Sequence, residues 1–202
     1  MSYRLIDRAT GAWAIVDPTY DIVDLWRDRI EESLPAMVLI THGHFDHVGG
    51  LGQFRAKYPN VPIYVHPDSA PLLGEDGQML ARSVGLDYDP TEATKLFRDG
   101  DAVELGSTKL TVLDTPGHCP GSVVLYTPGI LIAGDVLFEG GVGRWDLPGA
   151  DYDTLAQSIR EKVMTLPDDT VVYPGHGPAT TIGEERHNNF IVSRMLAGER
   201  VD

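Results

Sequence analysis

The chain has 202 residues, of which 42% are hydrophobic and 23% are charged, proportions that are typical of a globular domain and exclude a disordered or collagen-like chain. Its formal net charge of -14 argues against a nucleic-acid partner, because proteins that bind the phosphate backbone present clustered Lys and Arg. We therefore expect residues 1–202 to form a single domain with a sizeable core.

The sequence also predicts the cellular compartment of the protein. No apolar run approaches the roughly 20 residues that a membrane-spanning helix needs, and the N-terminus lacks the basic and then apolar segments of a signal peptide. The lone cysteine, Cys119, excludes an internal disulfide and fits a reducing environment. We expect a cytoplasmic protein with no membrane partner.

Seven short apolar runs predict β-strands, because they are rich in β-branched residues and are bounded by Gly, Pro or Asp. In chain order the runs are AWAIVD, AMVLI, VPIYV, KLTVLD, SVVLY, ILIAG and TVVYP. Their spacing leaves room for helices between them. The mixture predicts an α/β (α+β) fold in which helices cover layered sheets.

Hydrophobic periodicity predicts four helices between these strands. The first begins after Asp21, an expected N-cap, and spans residues 21–34. The others span about 46–58, 151–166 and 182–196. The residues expected to face the core are Ile22, Leu25, Trp26, Ile30 and Leu34 in the first helix, and Leu155, Ile159, Val163 and Leu166 in the third.

The stretch LITHGHFDHVGG, from Leu39 to Gly50, carries four metal-binding side chains within six residues: His42, His44, Asp46 and His47. Alternate residues of an extended segment point the same way, so His42 and His44 can reach one ion. Asp46 and His47 begin a helix and project elsewhere, which favours two neighbouring metal sites. Imidazole and carboxylate suit Zn, Fe, Mn or Ni, and the absence of paired cysteines excludes a Cys-rich structural zinc site.

Three further candidate ligands follow predicted strands: His118 after KLTVLDTPG, Asp135 after ILIAG, and His176 after TVVYPG. Each alone is compatible with an ordinary turn residue. Catalytic groups concentrate in loops at one end of a rigid sheet, so their joint occurrence predicts a common site with the histidine cluster. We expect structural hydrogen-bonding roles for His66 and His187, and a small semi-buried residue at Cys119.

The motifs THGHFDHVGG, DTPGHCPGS, AGDVLF and YPGHGP resemble, in order and spacing, those of the metallo-β-lactamase-fold hydrolases. Within that superfamily, GDVLFEGGVGRWDLPGADYDTL and PGHGPATTIGEERHNNF are most similar to the short bacterial glyoxalase II-like (hydroxyacylglutathione hydrolase-like) proteins. The resemblance implies a four-layer αββα sandwich with a dinuclear site at one edge. It assigns His42, His44 and His118 to the first metal, Asp46, His47 and His176 to the second, and Asp135 to a bridging position.

The sequence departs from the family pattern in several places. It begins at YRLID, where relatives usually carry one more strand, so we expect a shortened N-terminal strand edge or one completed in a homo-oligomer. The turn DPTYD replaces the commoner Asp-Pro-Gly at Asp17, and Cys replaces Thr after His118. The helical C-terminal domain of full glyoxalase II enzymes is also expected to be absent, since only 26 residues follow His176.

The implied activity is hydrolysis of a thioester such as S-lactoylglutathione, or of a related acyl-thiol, by a hydroxide shared between two divalent metal ions. Zinc is the expected metal, with iron or manganese as alternatives. Two ions about 3.5 to 4 Å apart lower the pKa of a shared water toward ~7. Asp46 would orient the hydroxide and Asp135 would bridge the ions. The sequence offers no Gly-x-Ser-x-Gly elbow for a competing serine mechanism.

Arg144 follows three glycines in GGVGRWDLPG. Relatives use a basic residue at the matching position to hold a carboxylate of glutathione, and the guanidinium fork suits bidentate binding. An ion pair with Asp146 is an equal alternative. Trp145 is expected either to line the substrate pocket or to pack.

Other functions remain compatible with these motifs. Persulfide dioxygenases share the fold and bind a single iron through two histidines and an aspartate, the ligand set of non-haem oxygenases. A lactonase and a non-enzymatic metal-binding protein are further alternatives. The C-terminal motif PGHGPATTIGEERHNN favours the hydrolase.

Overall fold

The computed structural model describes residues 1–201, which divide into two compact units. The first unit comprises Met1–Phe97 and Val103–Lys109. The second comprises Arg98–Ala102 and the chain from Leu110 onward. Each unit has its own apolar core. None of the helices within residues 1–201 is long and apolar enough to cross a membrane.

A five-stranded sheet organises the first unit, with its strands in chain order: β1 (Tyr3–Ile6), β2 (Trp13–Val16), β3 (Met37–Leu39), β4 (Ile63–Val65) and β5 (Lys95–Leu96). β1 is antiparallel to β2, whereas β2 to β5 are parallel. The carboxyl ends of parallel strands meet at one sheet edge, which is where ligand-binding residues of such sheets lie. Asp17 and His66 directly follow β2 and β4 at this edge, and Thr41 lies two residues after the end of β3.

Short helices cover this sheet: α1 (Ile22–Leu25), α2 (Arg27–Glu32), α3 (Phe45–Val48), α4 (Leu51–Lys57), a 3-10 helix (Ala70–Leu73) and α5 (Glu75–Ser83). Their apolar sides and the strands bury a common core that includes Trp13, Ile15, Ile30, Ile40, Phe54 and Ile63. The core fixes the ends of β2 and β3, from which the candidate ligands extend.

A six-stranded sheet lies mainly in the second unit, with its strands in the order β13-β12-β9-β8-β7-β6. Its strands are β6 (Ala102–Leu105), β7 (Thr108–Asp114), β8 (Val123–Thr127), β9 (Ile130–Gly134), β12 (Val171–Pro174) and β13 (Thr180–Thr181). β9 and β12 are parallel, so both of their carboxyl ends reach the same edge. Asp135 and Gly175 follow there.

A separate hairpin, β10 (Leu137–Phe138) and β11 (Gly141–Val142), follows Asp135. Three helices and a 3-10 helix complete the unit: α6 (Tyr152–Glu161), the 3-10 helix (Val163–Thr165), α7 (Ile182–Asn188) and α8 (Phe190–Leu196). The buried core of the unit includes Val124, Leu131, Leu155, Ile159, Val172 and Ile182.

All seven predicted strands are present, and the mixed α/β fold class is confirmed. The strands that the sequence did not predict are β1, β5, β6, β10, β11 and β13. Four of these lie at the ends of the two large sheets, and the other two form the separate hairpin. Edge strands are short and half-exposed, so they lack the continuous apolar run on which the prediction depended.

The helix predictions were right in position and wrong in length. The predicted helix over residues 21–34 divides at Trp26 into α1 and α2. Leu25 and Leu34 are 74% and 56% exposed, so their predicted core-facing orientation was wrong. Asp21 precedes α1 with a left-handed backbone (φ 63) and makes no side-chain capping hydrogen bond. Asp21 therefore occupies the predicted N-cap position, but its side chain does not cap the helix.

The remaining predicted helices also divide. The segment 46–58 becomes α3 and α4, separated at Gly49 and Gly50. The segment 182–196 becomes α7 and α8, separated at Asn189, whose side chain caps α8. The segment 151–166 forms α6 and then a 3-10 helix. A glycine pair and a capping asparagine therefore divide two of these segments where hydrophobic periodicity alone continued.

Candidate metal centre

The first unit gathers the four ligand-type side chains of LITHGHFDHVGG. β3 ends at Leu39, three residues before His42. His44 immediately precedes α3, and Asp46 and His47 lie within it. The His42 ring centroid is 4.8 Å from that of His44 and 4.1 Å from that of His47. The three histidines are buried, whereas Asp46 is only partly buried, with its Oδ2 3.7 Å from His47 Nε2.

Asp17 supports this cluster from the end of β2. Its carboxylate is buried and accepts hydrogen bonds from the Thr41 backbone N–H at 2.8 Å and from the Thr41 hydroxyl at 2.6 Å. His47 Nδ1 lies 2.9 Å from Asp17 Oδ2. Because a carboxylate accepts, Nδ1 carries the proton and Nε2 the lone pair that a metal requires.

Thr41 fixes the tautomer of His42 in a similar way. The Thr41 hydroxyl donates its proton to Asp17, so it accepts from His42 Nδ1, 3.2 Å away. The lone pair of His42 therefore lies on Nε2 as well. One ligand atom each from Asp17, His42 and His47 lie within 4.8 Å of one another. One buried carboxylate thus sets the tautomers of two histidines.

Glycine is required between His42 and His44 for steric reasons. A Cβ at Gly43 would lie 2.5 Å from Leu72 Cβ and 2.8 Å from the Ser69 carbonyl oxygen. Side chains with a Cβ essentially never approach so closely, so the backbone of the motif lies directly against the segment that begins the 3-10 helix. This packing explains why the residue between the two histidines is a glycine.

The second unit brings the other three candidates together. Asp135 follows β9 through Gly134, a left-handed glycine (φ 48), and His176 follows β12. Asp135 Oδ2 lies 3.6 Å from His118 Nε2 and 3.5 Å from His176 Nε2. His118 and Asp135 are buried, whereas the His176 side chain is 55% exposed. One carboxylate oxygen therefore lies within reach of two imidazoles.

The backbone of the GGVGRW segment orients His118. Its Nδ1 lies 2.9 Å from the Arg144 carbonyl oxygen, and because a carbonyl only accepts, Nδ1 donates and Nε2 carries the lone pair. Gly143 permits this arrangement, since a Cβ there would lie 1.9 Å from the Asp135 carbonyl oxygen and 3.2 Å from His118 Cβ. The segment therefore contacts both ligand residues through its main chain.

The side chains of this segment have other contacts. The Arg144 guanidinium donates to Asp146 through Nε at 2.9 Å and Nη2 at 2.8 Å, and both residues are exposed. This pairing raises the pKa of Arg144 and lowers the pKa of Asp146. Trp145 packs edge to face on Tyr152, with ring centroids 5.3 Å apart. The predicted Asp146 pair is present, and carboxylate binding by Arg144 stays a prediction.

The remaining candidates make local contacts. His66 Nδ1 accepts from the Asp68 backbone N–H at 3.2 Å, and His187 Nδ1 donates to the Gly183 carbonyl at 2.6 Å. Both contacts agree with the predicted structural roles. Cys119 is more deeply buried than predicted, at 1% exposure, with Sγ 3.2 Å from Ser122 Oγ.

Sequence reasoning missed the hydrogen-bond partners of the ligands. Asp17 ends an apolar strand run in the same way as Asp135 does, so the position of the carboxylate was a usable signal. The role of Thr41 and the Arg144 carbonyl depends on backbone geometry, which the sequence does not reveal.

The residues present fit divalent metal ions. Three histidines, His42, His47 and His118, are each held through Nδ1, which is how metal-binding histidines are commonly oriented by the groups around them. Imidazole and carboxylate donors together suit zinc, iron and manganese. The donor chemistry thus supports metal binding without selecting one metal.

Comparisons with known proteins also indicate a metal-binding fold. The sequence model of the Metallo-beta-lactamase superfamily matches residues 5–176. Hydroxyacylglutathione hydrolase GloC of Haemophilus influenzae is 38% identical over 182 residues, covering 87% of this chain and 85% of the relative.

Two solved structures are also similar. The BLEG-1 B3 metallo-beta-lactamase has a TM-score of 0.85 and 33% identity, covering 95% of this chain and 93% of that one. TTHA1623 in a di-iron-bound form has a TM-score of 0.84 and 36% identity, covering 94% and 93%. These matches confirm the resemblance and the fold predicted from the motifs. The chain belongs to the metallo-β-lactamase superfamily.

Proposed function

We propose that the two ligand clusters together hold two divalent metal ions and that the protein hydrolyses a thioester. In this proposal His42, His44 and His118 would hold one ion, Asp46, His47 and His176 would hold the other, and Asp135 would serve both. One observation carries the proposal. Asp135 Oδ2 lies 3.6 Å from His118 and 3.5 Å from His176, the two second-unit histidines that the family pattern assigns to different ions.

We propose zinc as the metal, with iron or manganese as alternatives. Imidazole and carboxylate donors accept all three, so availability in the cell contributes to the choice. The similarity to a protein that was solved in a di-iron-bound form supports keeping iron as an alternative.

When bound, two such ions lower the pKa of a shared water toward ~7 and polarise the carbonyl that it attacks. The residues of the chain would orient the attacking water and the metal-binding histidines. Asp46 is partly exposed, and in this proposal its carboxylate would accept a hydrogen bond from the attacking water and orient it toward the carbonyl carbon. Asp17, Thr41 and the Arg144 carbonyl hold the histidine tautomers before substrate arrives, which limits reorganisation during the reaction.

We propose an acyl-thiol as substrate, with S-lactoylglutathione as the first to test. The relative named hydroxyacylglutathione hydrolase supports this choice. Arg144 supports it as well, because a carboxylate of such a substrate would replace Asp146 on the guanidinium. The Arg144–Asp146 pair is exposed and therefore weak enough for a substrate carboxylate to displace Asp146.

The test is metal analysis of the purified protein, followed by turnover assays after reconstitution. Two ions per chain together with thioester hydrolysis would support the proposal. One iron per chain, with oxygen consumption on glutathione persulfide, would replace it with the dioxygenase alternative. Lactone hydrolysis without thioester hydrolysis would indicate a lactonase. A fully metal-loaded protein that turns over none of the three would be a metal-binding protein without this activity.

The cytoplasmic location, the homo-oligomer, the lack of a nucleic-acid partner and the single domain over residues 1–202 stay predictions. Light scattering of the purified protein tests the oligomer directly.

A further inference from the structure

A buried network of polar side chains forms hydrogen bonds with the hairpin that lies between Asp135 and Arg144 in the chain. The hairpin turn is Glu139 and Gly140, with Phe138 paired to Gly141. A Cβ on Gly140 or on Gly141 would meet no atom within 4 Å. Leu137 and Val142 anchor the hairpin strands in the core of the second unit, whereas the turn itself receives hydrogen bonds at its main chain.

Glu185 of α7 supplies the central contact. Its side chain is 1% exposed. Oε2 accepts from the Gly140 backbone N–H at 2.9 Å, and Oε1 accepts from the Thr180 hydroxyl at 2.6 Å. A buried carboxylate is costly unless its oxygens receive hydrogen bonds, so the Gly140 N–H is part of what makes this position tolerable for Glu185.

Asn189 completes the network from the junction between α7 and α8. Its Nδ2 donates to Glu185 Oε2 at 2.7 Å and to the Gly141 carbonyl at 3.0 Å. Its Oδ1 accepts from the backbone N–H groups at the start of α8, those of Ile191 and Val192. Asn189 therefore ties one strand of the hairpin to the helix end, and it is itself only 2% exposed.

The hairpin is connected at both ends to the ligand residues of the second unit. Its first strand begins two residues after Asp135. Its second strand leads directly to Gly143, which lies against the Asp135 main chain, and to Arg144, whose carbonyl holds His118. A shift of the hairpin turn would therefore move the backbone that fixes Asp135 and His118.

We propose that Glu185 and Asn189 are positioning residues for the metal centre, acting through the hairpin on Asp135 and on the Arg144 carbonyl. This inference rests on the proposed metal-binding role of Asp135 and His118. It assigns a function to the C-terminal motif GEERHNN that lies beyond the ligand set. It also explains why a glutamate is buried here without being a ligand.

The test compares Glu185→Ala with Glu185→Gln by cobalt titration of the metal-free protein, followed by visible absorption. Alanine leaves the Gly140 N–H without its acceptor, and we expect the cobalt affinity to fall by about 10- to 100-fold. Glutamine keeps an oxygen for Gly140 and an amide that can donate to Thr180, so its affinity should stay within about threefold of wild type.

Thr181→Ala is the matched control. Thr181 caps the same helix by accepting from the Glu184 backbone N–H at 3.1 Å, a hydrogen bond that does not involve the hairpin. It should lower the melting temperature and leave cobalt affinity unchanged. If Glu185→Ala does not fold, Asn189→Ser replaces it, because serine still caps α8 while both contacts of the amide nitrogen are lost.

Unchanged cobalt affinity in the folded Glu185→Ala or Asn189→Ser variant would overturn the inference, as would an equal loss in Thr181→Ala. Cobalt affinity is measured without substrate. A protein that lacks thioesterase activity but loses cobalt affinity in Glu185→Ala would contradict the proposed function and support the positioning role. A protein that hydrolyses thioesters but keeps its cobalt affinity in Glu185→Ala would support the proposed function and contradict the positioning role.

Discussion

Asp17 Oδ2 and His47 Nδ1 lie 2.9 Å apart in the buried part of the first unit, and the same carboxylate binds Thr41 through both its backbone and its hydroxyl. Asp17 adopts a left-handed backbone with φ 51, a conformation that is uncommon for residues other than glycine and is often found where function requires it. The Asp17 side chain therefore orients both His47, directly, and His42, through Thr41.

We predict that Asp17→Asn weakens metal binding by about 10- to 100-fold, since the amide nitrogen cannot accept from His47 or Thr41 and the histidine tautomers are no longer fixed. Asparagine tolerates the left-handed backbone, so the fold should be retained. The measurement is cobalt titration together with ¹⁵N NMR of the histidine rings in the metal-free protein.

Asp21→Asn is the control for that substitution. Asp21 lies in the same connection, also has a positive φ of 63, and makes no capping hydrogen bond. It removes the same charge and should leave metal affinity unchanged. Equal affinities for Asp17→Asn and wild type, with unchanged histidine tautomers, would contradict the role of Asp17.

The Gly43→Ala substitution should destabilise the protein by about 1–3 kcal/mol, a typical effect of forcing extra atoms into a packed region. The new Cβ would lie 2.5 Å from Leu72 Cβ and 2.8 Å from the Ser69 carbonyl oxygen. Because Gly43 separates His42 from His44, the accompanying backbone shift should also reduce metal affinity. Urea unfolding and cobalt titration measure the two effects.

Gly141→Ala provides the steric comparison, because a Cβ at Gly141 meets no atom within 4 Å. Its unfolding free energy should lie within about 0.5 kcal/mol of wild type. If Gly43→Ala were as stable as Gly141→Ala, the close packing of the motif on the 3-10 segment would be wrong.

The sequence predicted the parts of this fold that depend on continuous apolar runs. Strands β3, β7, β9 and β12 each combine such a run with a ligand-type residue in the turn that follows, so both the strand and the candidate ligand were recognisable. The edge strands lacked that run. The hydrogen bonds to Asp17 and to the Arg144 carbonyl require residues distant in sequence to meet, which neither periodicity nor spacing encodes.

Arg144 and Asp146 give a prediction about substrate charge. Asp146→Asn removes the partner that now occupies the guanidinium, so KM for S-lactoylglutathione should fall by about threefold, with kcat unchanged, if the substrate carboxylate binds there. Arg144→Ala should raise that KM by roughly tenfold. Steady-state kinetics with the two variants measure both effects.

A neutral acyl-thiol without carboxylates is the comparison substrate, and neither substitution should change its KM. If KM for S-lactoylglutathione is the same in Arg144→Ala and wild type, Arg144 does not bind a substrate carboxylate and the ion pair with Asp146 is structural.

Asp7 gives a prediction about acid stability. Its carboxylate accepts from the Ser107 backbone N–H at 2.8 Å and from the hydroxyls of Thr10 at 2.5 Å and Thr108 at 3.1 Å. These hydrogen bonds, that from the Ser107 backbone first, hold the pKa of Asp7 well below its usual range. The folded state therefore binds the proton less readily than the unfolded state, in which an aspartate titrates near ~3.9.

The stabilisation by Asp7 is accordingly present above about pH 4 and is lost as the pH falls through the pKa of the folded state. We expect Asp7→Asn to lower the melting temperature at about pH 7, because the amide presents one acceptor where the carboxylate presents two. The difference from wild type should shrink as the pH falls from about 4 to about 2. Calorimetry across this range, with the exposed Asp169→Asn as a control of equal charge change, measures it. A melting-temperature difference that stays constant with pH would show that the carboxylate charge does not contribute.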